Sequence, residues 1–134
     1  MTARVLVVDD EPAIRHAVGR LFRREGWTVV TAATAGEAIA ALETAPADGV
    51  VLDYHLPGMS GAELGAEIVQ RWPRLGGRLV FVSGDPHLTV EAFPPACRGA
   101  HLIRKPFDLL DLTSAMRGVL DAPPDRSNSS GTLA

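Results

Sequence analysis

Residues 51–61 read VLDYHLPGMSG. An aliphatic run stops at Asp53, and a Leu-Pro-Gly turn and a Ser-Gly pair follow at once. A carboxylate at the end of a buried strand costs desolvation free energy unless something pairs with it or uses it. The residues before it, GVVLD (49–53), have the continuous apolar pattern of a strand covered on both faces. The residues after it, SGAE (60–63), have the form of a helix-starting capping box, with Ser60 as cap and Glu63 reaching back. That helix places Leu64, Ile68 and Trp72 on one side.

The same strand-then-helix unit recurs on either side. RVLVV (4–8) is an aliphatic run that ends at Asp9 and Asp10. From Pro12 the period changes: Ile14, Val18, Leu21 and Phe22 share one face of a helix. Pro12 suits the first turn, where its missing N–H is not needed, and Gly26 suits the stop. TVVTA (28–32) is a second strand, and TAGE (34–37) opens a second helix with Ala38, Ile39 and Leu42, ending before Pro46.

Downstream, RLVFVSG (78–84) is a fourth strand and AHLI (100–103) a short fifth, followed by RKPF. Asp108 can cap a last helix with Leu109, Leu112, Met116 and Val119 inward. Residues 86–98, PHLTVEAFPPACR, can begin a helix, but Pro94 and Pro95 must stop it. Five aliphatic strands alternating with helices predict an α/β fold with a parallel sheet. In such sheets ligands gather at the carboxyl ends of the strands.

Composition narrows the function. The chain has 134 residues, 46% apolar but only 5% aromatic, so the core is aliphatic. One domain over residues 1–121 is expected, with a Pro/Ser/Gly-rich disordered tail at 122–134. No apolar run approaches the roughly 18 residues of a membrane span. The amino-terminal apolar run is too short for a signal peptide, which points to the cytoplasm. The single cysteine, Cys97, permits no internal disulfide and argues against a thiolate zinc site. A net charge of -3 provides no basic stripe for direct nucleic-acid binding.

The predicted carboxyl ends bring together Asp9, Asp10, Asp53, Ser83 and Lys105. Three carboxylates in one crevice repel and call for a cation, and oxygen ligands with open positions favour a hard ion such as Mg²⁺. Mg²⁺ and Lys105 together balance the three acids, which leaves Asp53 able to attack a phosphoryl group as a nucleophile. Blander roles exist for each residue. Asp9 or Asp10 can cap the first helix, Asp53 or Ser83 can shape a turn, and Lys105 can be a solvated charge. His55, His87 and His101 lack ligand spacing and read as surface residues, although His55 and Asp85 are candidates for tuning the lifetime of a phosphate.

Four pieces, LVVDDEP, VVLDYHLPGMSG, VFVSG and RKPF, stand in order and at suitable spacing over residues 4 to about 120. In these the chain resembles the receiver domains of bacterial two-component response regulators. The resemblance implies a flavodoxin-like, doubly wound five-stranded sheet in the order 2-1-3-4-5. It implies that Asp53 accepts phosphate from a sensor histidine kinase. It further implies that Asp10, Asp53 and the backbone carbonyl of His55 bind Mg²⁺, with Asp9 holding it through water. Lys105 would contact the phosphoryl group, Ser83 would move toward it, and the Lys105–Pro106 peptide would be cis.

Two features depart from the family pattern. Many receivers carry Tyr or Phe three residues before the lysine, where this chain has Leu102, so either the switch is aliphatic or the output surface is read differently. Pro94 and Pro95 interrupt what is normally an output or dimerisation face. The expected function is a stand-alone receiver, not a turnover enzyme, that switches binding of a downstream protein target. An alternative is a phosphorelay intermediate, or a receiver associated with a hybrid kinase, passing phosphate to a histidine phosphotransfer protein. A phosphatase with an Asp nucleophile is disfavoured, because its second acid two residues on is here His55.

Overall fold

The computed structural model describes residues 2–122, so most of the expected tail at 122–134 lies outside the described residues. The strands are β1 (Arg4–Val8), β2 (Thr28–Ala32), β3 (Gly49–Asp53), β4 (Leu79–Ser83) and β5 (His101–Arg104). The helices are α1 (Pro12–Arg24), α2 (Ala35–Thr44), α3 (Gly61–Arg71) and α4 (Leu109–Asp121). All strands are parallel, in the order β2-β1-β3-β4-β5. This is the flavodoxin-like α/β arrangement expected from the sequence.

Alternation along the central strands builds two cores. Leu6, Val8, Val50, Leu52, Leu79 and Phe81 face α2 and α3, where Ala38, Leu42, Leu64 and Ile68 meet them. Val5, Val7, Val51, Val80 and Val82 face α1 and α4, where Val18, Phe22, Leu112, Met116 and Val119 meet them. Every residue of β3 and β4 is buried, whereas the edge strands β2 and β5 are part-exposed. Burying both faces of an aliphatic strand is why the central runs show no polar alternation.

The helix starts follow local chemistry. At α3, Ser60 Oγ accepts from the Glu63 N–H (3.1 Å) and the Glu63 carboxylate accepts from the Ser60 N–H (3.4 Å), completing the capping box. At α2, Thr34 accepts from the Glu37 N–H, but Glu37 reaches one residue further back, to the Ala33 N–H at 2.8 Å. Trp72 lies just past the end of α3, not within it, and the Arg71 guanidinium sits 4.8 Å over its ring.

Residues 84–100 form no α-helix. They hold two 3₁₀ turns, Val90–Ala92 and Pro95–Cys97. Pro94 and Pro95 lack the N–H that a continued helix would use. The segment is pinned instead by apolar plugs: Leu88, Phe93, Cys97 and Ala100 are all buried in the α2–α3 core.

Candidate functional site

Each candidate residue reaches the crevice because a buried strand ends there. Asp9 follows β1, with its N–H bonded to the Ala32 carbonyl of β2 (3.1 Å). Asp53 is the last residue of β3 and Ser83 the last of β4. Lys105 follows β5, and its N–H donates to the Ser83 carbonyl at 2.7 Å. The Lys105–Pro106 peptide is cis.

Asp9, Asp53 and Ser83 are buried, although all three are polar. Asp10 is exposed at the mouth. One carboxylate oxygen from each of Asp9, Asp10 and Asp53 lies within 4.8 Å of the others. Three hard oxygens converging this closely suit a small divalent cation.

Among the described residues every buried side-chain oxygen has a partner. Asp9 Oδ1 accepts from the Glu11 N–H at 2.9 Å, a turn bond ahead of the helix; the N-cap of α1 is Glu11 and no side chain caps it, so neither Asp9 nor Asp10 takes the capping role that the sequence allowed. Its Oδ2 faces Lys105 Nζ at 3.4 Å. Asp53 Oδ1 accepts from the His55 N–H at 3.0 Å, while its Oδ2 faces Lys105 Nζ at 3.5 Å. Lys105 also reaches Glu11 Oε1 at 3.5 Å. One ammonium is therefore shared among three acids.

The electrostatics follow from that sharing. Burial pushes the Asp9 carboxyl above its ordinary value; the Glu11 N–H works against this, Asp53 adds to it and Lys105 opposes it. Burial works against the Lys105 ammonium, but Asp9, Asp53 and Glu11 outweigh it and hold its pKa above the usual value. Lys105 thus stays charged, and the acids still lack full compensation without a further cation.

Three contacts were not legible in the sequence. Glu11 joins the crevice through Lys105, although it stands directly after the acid pair. The His55 ring meets Ser83, with Nε2 2.8 Å from Oγ. Arg104 donates to the carbonyls of Asp85 (3.1 Å) and Leu88 (2.7 Å), tying β5 to the segment after β4. A lone Arg in RKPF carries no signal of that. Leu102 is half-buried, in register with Phe81 and packed on the α2–α3 core.

Tyr54 continues from the crevice into an aromatic cluster. Its ring lies edge-on to His55 (5.4 Å) and Phe81 (5.1 Å) and near Phe93 (5.8 Å). The residue directly after β3 therefore touches the 84–100 segment ring to ring, at Phe93.

The profile of the response regulator receiver domain matches residues 5–117. Among curated proteins, the probable transcriptional regulatory protein TcrX of Mycobacterium tuberculosis is 33% identical over 116 residues, covering 87% of this chain and 49% of that protein. The chain thus spans about half the length of such relatives. Among solved structures, a CheY-like receiver domain protein from Methanospirillum hungatei superposes with a TM-score of 0.81 at 30% identity, covering 90% of this chain and 95% of that one. The response regulator TrrA of Thermotoga maritima, solved in complex with Mg(2+)-BeF, gives 0.77 at 28% identity, covering 89% of this chain and all of that one.

Proposed function

The chain belongs to the response regulator receiver domain family, and from that premise we propose that Asp53 is its phosphoacceptor. The observation that carries this reading is the setting of the Asp53 carboxylate. It is buried at a strand end, bonded on one oxygen by the His55 N–H and faced on the other by Lys105, beside Asp9 and Asp10.

A carboxylate oxygen of Asp53 attacks phosphorus as the bond to the donor breaks, and the phosphoryl group passes to Asp53 as an acyl phosphate. Asp10, Asp53 and the His55 carbonyl are the direct ligands proposed for Mg²⁺, with Asp9 holding it through water. When bound, Mg²⁺ supplies charge neutralisation at the phosphoryl oxygens. Lys105, already on the Asp53 carboxylate, turns to one phosphoryl oxygen, and the Ser83 hydroxyl donates to another. The Mg(2+)-BeF complex of the Thermotoga relative supports the metal assignment by likeness.

The donor is a sensor histidine kinase or a histidine phosphotransfer protein, and the readout is altered binding of a downstream protein in the cytoplasm. The domain is a switched binding module, not an enzyme with turnover. Among the described residues no helix is long and apolar enough to cross a membrane.

Phosphate incorporation from acetyl phosphate tests the reading, with and without Mg²⁺, on wild type and Asp53→Asn. Mg²⁺-dependent modification that disappears in the variant is expected. Folded wild type that takes up no phosphate, or a variant that still does, overturns the assignment.

A further inference from the structure

His55 touches both ends of the reaction. Its backbone N–H donates to the Asp53 carboxylate at 3.0 Å, and its ring Nε2 lies 2.8 Å from Ser83 Oγ. Ser83 is fully buried, and its Oγ also accepts from the Asp85 N–H at 3.0 Å. Asp85 in turn is held by Arg104, which donates to its carbonyl. The Ser83 hydroxyl is thus committed on two sides in the resting state, and one of those partners is the residue that also grips the acceptor carboxylate.

We propose that the His55 side chain is a positioning residue that latches the Ser83 hydroxyl in its resting orientation, so that a phosphoryl group on Asp53 engages Ser83 only by breaking this bond. The inference rests on the phosphoacceptor reading above and deepens it.

A hydroxyl has one proton and two acceptor sites. The Asp85 N–H occupies one acceptor site. If the Ser83 proton points at Nε2, it is unavailable to a phosphoryl oxygen. If Nε2 carries the proton, the second acceptor site is filled. Both tautomers fix the Cβ–Oγ direction. Turning Ser83 toward Asp53 forfeits the His55 bond, and it moves the oxygen that the Asp85 N–H follows. The latch therefore couples the event at Asp53 to residues 85–88, which Arg104 ties to β5. His55 is exposed, so the bond is also open to competition from water. That makes it a modest latch, which a phosphoryl group can outcompete.

The test compares wild type, His55→Ala, His55→Phe, Ser83→Ala and the His55→Ala/Ser83→Ala double variant. The first readout is the Asp85 amide resonance in protein free of metal and phosphate. The second is the beryllium fluoride concentration that half-saturates each protein at saturating Mg²⁺. His55→Ala and His55→Phe should both shift the resting Asp85 amide. Both should lower the half-saturating concentration roughly fivefold, the size of one net hydrogen bond. In the Ser83→Ala background, His55→Ala should change neither readout, because the coupling partner is gone.

Wild-type behaviour of His55→Phe would make ring packing on Tyr54 the cause and overturn the latch. So would an equal effect of His55→Ala with and without Ser83. Failure of wild type to bind beryllium fluoride would instead strike the phosphoacceptor reading. In that event the resting Asp85 amide still decides the latch: a shift in both His55 variants supports it, and no shift overturns it.

Discussion

Two connections leave the crevice, and they are built differently. Residues 54–60 lead from β3 to α3 and are held by backbone. The Tyr54 N–H donates to the Val82 carbonyl at 2.9 Å, and the Gly61 N–H to the Tyr54 carbonyl at 2.8 Å. The capping box at Ser60 closes the turn, and Gly58, at φ +83°, supplies a backbone shape that other residues resist. Residues 84–100 lead from β4 to β5; their backbone bonds close only local turns within the segment, and what ties it to the rest of the molecule is side chains: the Ser83 hydroxyl, the Arg104 guanidinium and the buried Leu88, Phe93 and Cys97. Backbone pairing sets a position once, whereas side-chain anchors can exchange partners. The proposed acceptor, Asp53, thus leads into the connection tied to the sheet by backbone, and the proposed switching hydroxyl, Ser83, into the one anchored by side chains.

The sharpest way to break this contrast is Phe93→Ala. Phe93 is 3% exposed and packs 4.7 Å from Phe81. Its loss should cost about 3 kcal/mol in urea unfolding, while phosphate uptake at Asp53 survives under folding conditions. Loss of uptake in a folded variant would mean the two connections act as one.

Next comes Gly61→Ala. A Cβ there would collide with the Asp53 carbonyl oxygen and Tyr54 Cα, both backbone atoms that give way only if the chain itself shifts. A cost of about 2 kcal/mol is expected, together with impaired phosphorylation because Asp53 itself must shift. A thermal melt and an acetyl phosphate assay check the pair.

Cys97 provides a pH-dependent probe of the connection anchored by side chains. Burial pushes its thiol up to about 11 from 9.0. The unfolded chain therefore loses this proton near 9.0, while the folded protein keeps it to about 11. Over that window the folded state holds more protons, so stability falls as pH rises. Cys97→Ala should flatten that slope, as read from melting temperature between pH 8 and 10.5. At pH 8 alkylation of Cys97 should be slow and should accelerate in Phe93→Ala, which opens the segment.

The smallest effect is local. Arg104→Ala should speed amide exchange at residues 85–88 and leave residues 54–60 unchanged. Equal acceleration in both would show that the connections share one opening event.

How much could be read in advance follows the same division. The five strands were legible because each is an aliphatic run of strand length ending in polar or turn residues. Asp9, Asp10, Asp53, Ser83 and Lys105 were legible as a group because a parallel sheet puts all its carboxyl ends on one edge. Residues 84–100 were not legible beyond the proline stops, since 3₁₀ turns leave no periodic pattern. Glu11 on Lys105, His55 on Ser83 and Arg104 on Asp85 were also hidden.

Sequence alone therefore determined the strands, the strand-end acids and the edge where they meet, because periodicity, burial and capping act within a few residues. Tertiary structure decided which oxygen faces which nitrogen. His55 and Ser83 are 28 residues apart, and they meet only because β3 and β4 pair with Asp53 opposite Val82. A slip of one residue would send those side chains to opposite faces of the sheet.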